Sequence, residues 1–295
     1  YLMARLLPVL GGTPEWQTIV MVIGAITTAV GAYLAISQTD LKRLLAYSTV
    51  SALGTMTLLL GMGDNLAIKA AIAFIFAHAL YKGAIFMIAG AVDHETGTRD
   101  IQILGGLRHA MPLTTLSATL AGLSMAGVLP LFGFIAKEVL YERSLQADTW
   151  VSVVVVFSGL VNVIVASLVV ITPFWRKNKT THDRQIQHSY EAPLTMIIGP
   201  LSLALFSFLT GIFTGGSGKL LGGAVNVVAG QIVELKYALW HGINPPFILS
   251  LLTLFTGIGI YLILPPIQKF LQKFAKLPGP EKAYQFTWKD RKSVV

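Results

Sequence analysis

Long apolar runs constrain this chain more than any other feature. Trp16–Ile36, Leu44–Met62, Ile68–Val92, Pro112–Leu145, Trp150–Phe174, Pro193–Thr214 and Phe247–Leu264 each carry few or no charges. A run of about 20 such residues is long enough to cross the hydrocarbon of a bilayer as a helix. Inside that hydrocarbon every backbone N–H and C=O must find its partner within the protein, which a helix achieves alone. The reading is therefore an all-α, polytopic helix bundle with seven spans, preceded by a truncated opening helix in Tyr1–Leu10. Charged residues make up 12% of the chain, against roughly 25% in a soluble domain. Cysteine is absent, which excludes disulfides and thiolate metal sites. The net charge of +8 does not point to nucleic acid, because the basic residues sit at the ends of the apolar runs.

Local signals open several helices. Thr13-Pro14-Glu15 reads as an N-cap, a proline at the first helical position and an acid in the first turn. Asp40 and Asp64-Asn65 cap the next two, and Pro193 opens another. Threading the spans through a membrane puts loops 37–43, 93–111 and 175–192 and the C-terminal tail on one side. That side holds Lys42, Arg43, Arg99, Arg108, Arg176 and the tail lysines. The positive-inside bias makes it the cytoplasmic side. Leu220–Trp240 contains Asn226, Gln231, Glu234 and several glycines. If it spanned, the charge bias would vanish, so segment 215–246 is expected outside, as a packed loop or an interfacial helix. Residues 1–174 then form one bundle, and 175–295 add further spans and a basic tail suited to anionic headgroups.

The charges that remain at membrane depth carry the chemistry. Lys82 and His78 lie in Ile68–Val92, four residues apart and so on one helix face. An intramembrane cation costs about 2.5–3.5 kcal/mol on insertion scales and persists only where it faces protein, a partner or water. Burial disfavours the charged form of an amine and histidine titrates near neutral pH unaided, so the pair can hand on a proton. A purely structural, hydrogen-bonded pair remains the alternative. In Pro112–Leu145 the run Gly127-Val128-Leu129-Pro130-Leu131-Phe132-Gly133 breaks the helix, since Pro130 removes a donor and clashes one turn back. Discontinuous helices at mid-membrane mark transport sites, and Lys137 follows this break directly. Glu138 points about 100° away from Lys137 around the helix and either pairs with another helix or reaches the interface with Glu142. Asn162 is an interhelical hydrogen-bonding group or lines the path. Lys69 snorkels. Ser48, Thr49, Ser51, Thr55 and Thr57 make a mildly polar stripe, read as helix packing. Gly215–Leu220 lacks two elements of a phosphate loop, Asn178-Lys179-Thr180 is a chance sequon, and the histidines lack metal-ligand spacing. No cofactor, metal or enzyme nucleophile is expected.

These residues carry a family resemblance. Asp40-Leu41-Lys42-Arg43-Leu44-Leu45-Ala46-Tyr47-Ser48-Thr49 resembles the run that opens a helix in antiporter-like subunits of respiratory complex I and of Mrp-type cation/proton antiporters. His78-Ala79-Leu80-Tyr81-Lys82-Gly83 is similar to their His-x-x-x-Lys helix, and Gly133-Phe134-Ile135-Ala136-Lys137-Glu138 to their broken helix. Leu104-Gly105-Gly106-Leu107 with Met111-Pro112 resembles the intervening loop and helix start. Within the family, Asp93–Asp100 and Leu239-Trp240-His241-Gly242 are most similar to the A-type subunit of Mrp antiporters. The resemblance implies the second five-helix unit of an inverted repeat, in a bacterial cell membrane. It further implies Lys137 as gating lysine, Lys82 and His78 as relay groups, protons and sodium as cargo, and other membrane subunits as partners. This sequence has Phe74 where some complex I relatives carry a further histidine. A proton-pumping subunit of a quinone oxidoreductase and a non-transporting scaffold subunit stay open as alternatives.

Overall fold

The computed structural model of the chain describes residues 1–176, 189–233, 237–240 and 242–275, the side chains at 265–267 and 269–275 excepted. Its helices are α1 (Leu2–Leu10), α2 (Pro14–Ser37), α3 (Leu41–Met62), α4 (Asn65–Thr96), α5 (Pro112–Ala126), α6 (Phe132–Leu145), α7 (Thr149–Val170), α8 (Leu194–Ile212), α9 (Thr214–Ala229) and α10 (Pro245–Ala275). A π-helical turn, Ile171–Trp175, extends α7. Among the described residues, six helices are long and apolar enough to cross a membrane: α2, α3, α4, α7 with its π turn, α8, and α10 as far as Leu264. The interrupted run at Pro112–Leu145 forms the two halves α5 and α6, of 15 and 14 residues, each too short to cross alone. The protein is thus a polytopic helical membrane protein.

The expected caps are in place. The Thr13 hydroxyl accepts from Trp16 N at 3.3 Å, Asp40 from Arg43 N at 2.9 Å, and Asp64 from Ala67 N at 3.0 Å. The basic tail beyond Ala275 and the sequon at Asn178 lie outside the described residues.

α4 is the axis of the bundle. It packs against α3, α5, α6, α8 and α9. Its buried alanines, among them Ala67, Ala70, Ala73, Ala77 and Ala84, let the neighbouring backbones come close. α2 and α3 are packed closely by paired small residues. A Cβ on Gly24 would lie 2.5 Å from Leu58 N, and one on Gly31 2.5 Å from Ser51 N. Outward faces are apolar, as lipid requires: Ile19, Ile23 and Ile26 on α2, Ile198, Leu205 and Leu209 on α8, and Leu252, Phe255 and Leu262 on α10 are exposed.

One expectation needs refining. The loop-like Thr214-Gly215-Gly216-Ser217-Gly218 opens a helix, α9, which ends at Ala229 rather than running from Leu220 to Trp240. Glycine disfavours a helix by roughly 0.5–1 kcal/mol relative to alanine. Here tertiary packing overrides that preference, with Ser217, Gly218, Leu221, Val225 and Val228 buried against the bundle.

Both ends of the bundle are tied. At the Asp40 end, Leu41 N donates to Arg99 O and Ile101 N to Thr39 O, each at 2.9 Å. Lys42 pairs with Asp93 at 2.6 Å and Arg99 with Asp40 at 3.2 Å. Arg176 Nη2 lies 2.7 Å from Ile101 O and 3.0 Å from Leu104 O, clamping the end of α7 to the loop before α5. At the Asp64 end, Arg143 in the last turn of α6 pairs with Asp64 at 2.7 Å.

Candidate functional site

The break between α5 and α6 is built residue by residue. Gly127 closes α5 with φ of +75°, a left-handed conformation that glycine alone adopts without strain. Pro130, cis to Leu129, sits in the connection. α6 restarts at Phe132. The missing side chain of Gly133 lets α6 abut the backbone and hydroxyl of Ser124, and the missing side chain of Gly127 leaves room for the stem of Lys137. The interrupted helix frees a carbonyl, and Lys137 Nζ donates to it, 3.0 Å from Ala126 O. The same amine lies 5.6 Å from the centroid of the Tyr141 ring, one turn further along α6.

Lys82 is held by α3. Its amine donates to Ser48 Oγ and lies 3.5 Å from Leu45 O. His78 Nδ1 lies 3.2 Å from the Tyr81 hydroxyl, and its ring meets Phe74 edge-on at 6.2 Å. Lys82, His78 and Lys137 are 4%, 8% and 8% exposed, so all three are buried within protein rather than presented to lipid. Among the described residues, neither Lys82 nor Lys137 enters an ion pair. Their acceptors are hydroxyls and carbonyls, which stabilise an ammonium without fixing it as a carboxylate would.

Lys137 and Asn162 face a shared cavity of about 20 Å³, walled also by Tyr81, Ser124, Tyr141 and Ser158. That is room for one water, with several polar partners in the wall. Hydroxyl bridges connect this wall to the surrounding helices. Thr28 to Thr55 at 3.3 Å and Thr55 to Ser158 at 2.8 Å join α2, α3 and α7. Ser124 to Ser207 at 2.8 Å reaches α8, and Tyr141 to Thr253 at 3.1 Å reaches α10.

Glu138 points away from this cavity. It is buried, and its Oε1 accepts from Asn244 at 3.1 Å. Glu142, one turn further along α6, is exposed. Lys69 lies 5.2 Å over the Tyr237 ring. At Tyr237 itself, burial pushes the phenol upward from its ordinary value.

The hydroxyls of α3, which read as packing in the sequence, divide in the fold. Ser48 and Thr55 reach Lys82 and the cavity wall, and Ser51 bonds Thr28 O at 3.0 Å, whereas Thr49 and Thr57 bond only their own helix. The spacing of 48, 51 and 55 places those three on one helix face, a signal present in the sequence. Tyr81, Ser124 and Ser158 carry no comparable signal, because only the fold brings them to the cavity.

Residues 1–162, which include the buried lysines, the histidine and the break, match the family described as NADH:quinone oxidoreductase/Mrp antiporter, TM. The chain is 37% identical over 290 residues to a probable K(+)/H(+) antiporter A/B subunit of Rhizobium meliloti, covering 92% of this chain and 29% of that one. It is 33% identical over 297 residues to a Na(+)/H(+) antiporter A-type subunit of Alkalihalophilus pseudofirmus, covering 90% of this chain and 36% of that one. It therefore spans about a third of the length of these relatives. Its fold superposes on a chain of the Mrp complex from Dietzia sp. DQ12-45-1b with a TM-score of 0.85 and 28% identity, over 100% of this chain and 32% of that one. With more than half of its length inside that family match, the chain belongs to the NADH:quinone oxidoreductase/Mrp antiporter transmembrane family.

Proposed function

We propose that this chain is part of a membrane subunit of a multi-subunit monovalent cation/proton antiporter, and that protons cross it along a hydrated path gated by Lys137. The observation that carries the reading is the Lys137 amine seated at the helix break, against a freed carbonyl and beside a polar cavity. An amine held by neutral acceptors can lose and regain its proton without breaking an ion pair. Lys82 and His78, on the facing helix, act as the relay that supplies it. Two like charges in a low-dielectric interior oppose one another, so protonation of Lys82 favours release from Lys137. Asn162 supports the path from the cavity wall, and Glu138 stabilises it structurally through Asn244.

The names of the relatives favour antiport over a redox-linked pump, and sodium or potassium as the exchanged ion. The other subunits of such a complex are the partners, and the surrounding lipids solvate α2, α8 and α10. The Asp40 end, rich in lysine and arginine, faces the cytoplasm.

The test is Lys137→Ala in the full-length subunit within the assembled complex. Cation-driven proton exchange in everted vesicles should fall by about 100-fold or more, as for loss of a positioned proton-transfer group, with insertion and assembly intact. Wild-type exchange in an assembled Lys137→Ala complex overturns the reading.

A further inference from the structure

Lys82 and Lys137 do not face one another across the cavity. Lys82 is turned to Ser48 and Leu45 on α3, and it does not line the cavity beside Lys137. α4 contributes Phe74, Ala77 and Tyr81 to that wall, and of these only Tyr81 has a polar side chain. Tyr81 is 2% exposed. Its hydroxyl lies 3.2 Å from His78 Nδ1, and the two rings meet edge-on at 5.3 Å. We infer that Tyr81 is a proton-relay residue, its hydroxyl joining His78 to a water in the cavity beside Lys137. This inference rests on the proposed role of Lys137.

A phenol is both donor and acceptor, and so can receive a proton on one side while giving one up on the other. In one transfer, protonated His78 releases its Nδ1 proton to the Tyr81 oxygen. The former Tyr81 proton passes to the cavity water, and a proton of that water passes to the neutral Lys137 amine. Histidine ends neutral, lysine ends as ammonium, and the phenol and the water are unchanged. The cavity, at about 20 Å³, has room for that single water, which needs two to four polar partners. Tyr81, Lys137, Ser124, Ser158 and Asn162 are all in its wall.

Tyr81→Phe keeps the ring and its packing and removes only the oxygen. In the full-length subunit of the assembled complex, proton exchange in everted vesicles should slow at least about tenfold, as for loss of one proton-transfer group. The ratio of rates in H2O and D2O should rise above the wild-type ratio, because hydrogen transfer becomes the slow step. A packing defect would slow both solvents alike. Lys137→Ala measured in parallel separates the two claims. An active Lys137→Ala overturns the lysine reading itself, whereas an inactive Lys137→Ala beside a wild-type Tyr81→Phe overturns the relay alone. Slowed exchange with an unchanged solvent ratio also overturns the relay. Where Tyr81→Phe fails to assemble, His78→Phe removes the other partner of the same bond. Slowed exchange with an enlarged solvent ratio then supports the relay, and unchanged exchange overturns it.

Discussion

Asp64 does two jobs at one helix end. Its Oδ1 caps the first turn of α4, 3.0 Å from Ala67 N, while its Oδ2 receives Arg143 Nε at 2.8 Å from the end of α6. Partial burial pushes its carboxyl up. The Arg143 guanidinium and the amides of Ala67 and Leu66 outweigh that effect, and the net result lies below the ordinary value of 3.8. A folded value below the unfolded one means that the stabilisation is complete above the ordinary carboxylate range and is lost as pH falls through the folded value. The Asp64 side chain is 41% exposed, so water and salt screen the pair, and its net contribution stays within about 1 kcal/mol. Arg143→Gln should therefore lower the detergent-solubilised melting temperature slightly at about pH 7, with the difference from wild type smaller at an acid pH below the ordinary value of 3.8, where the carboxylate takes up its proton. Added salt should narrow the gap as well. An equal difference at both pH values would count against the pair. The capping role of Asp64 was legible in the sequence from the Asp-Asn dipeptide before an apolar run. Its ionic partner was not, because Arg143 lies 79 residues further along the chain.

The half-helix α5 is the element on which the site depends, and it is held at both ends. The Glu191 carboxylate accepts from Leu113 N at 2.6 Å and Thr114 N at 3.3 Å, satisfying donors that a helix start leaves open. At the other end the Lys137 amine meets Ala126 O. An anion thus sits at the positive end of the helix dipole and a cation at the negative end. The break itself was visible as Gly127, Pro130 and Gly133 in an otherwise continuous apolar run. What the sequence could not show is that Gly127 takes φ of +75° and that its missing Cβ is the space through which the Lys137 stem passes. Alanine at Gly127 should cost about 1–2 kcal/mol in backbone strain. It would also put a methyl 3.3 Å from Lys137 Cβ and 3.5 Å from its Cε. Gly127→Ala should therefore reduce exchange through displacement of Lys137, as well as lowering stability. Gly90→Ala is the control, since nothing lies within 4 Å of a Cβ there. It should leave exchange unchanged and stabilise α4 by up to roughly 1 kcal/mol. Comparable loss of exchange in both variants would sink the argument that the position, rather than glycine content, matters.

At the scale of the whole molecule, the two ends of the bundle differ in charge in a way that apolar helices alone would not produce. Lys42, Arg43, Arg99, Arg108 and Arg176 gather at the end closed by the Asp40–Asp100 backbone bridge. Several of them also make structure. Arg176 clamps two loop carbonyls and Arg108 stacks over Trp175 at 5.2 Å. At the opposite end Arg143 is paired with Asp64. The orienting bias counts lysine and arginine rather than net charge, so pairing with Asp40 and Asp93 does not remove the signal of Arg99 and Lys42. The six membrane-length helices, the broken pair α5 and α6 in place of a seventh, and the location of the basic loops were legible from apolar run length, from the Gly-Pro interruption and from where the charges stop. The course of Thr214–Ala229 was not, because glycine content and tertiary packing pull in opposite directions there. The orientation can be read directly. These 295 residues contain no cysteine, so single cysteines at Gln102 and Gln146, both exposed and at opposite ends, each add one labelling site to this part of the subunit, read against the unsubstituted complex as background. In right-side-out vesicles a membrane-impermeant thiol reagent should label Gln146→Cys and spare Gln102→Cys, and everted vesicles should reverse the pattern. The reverse labelling would put the basic end outside, and a proton leaving Lys137 toward the Asp64 end would then travel into the cell rather than out of it.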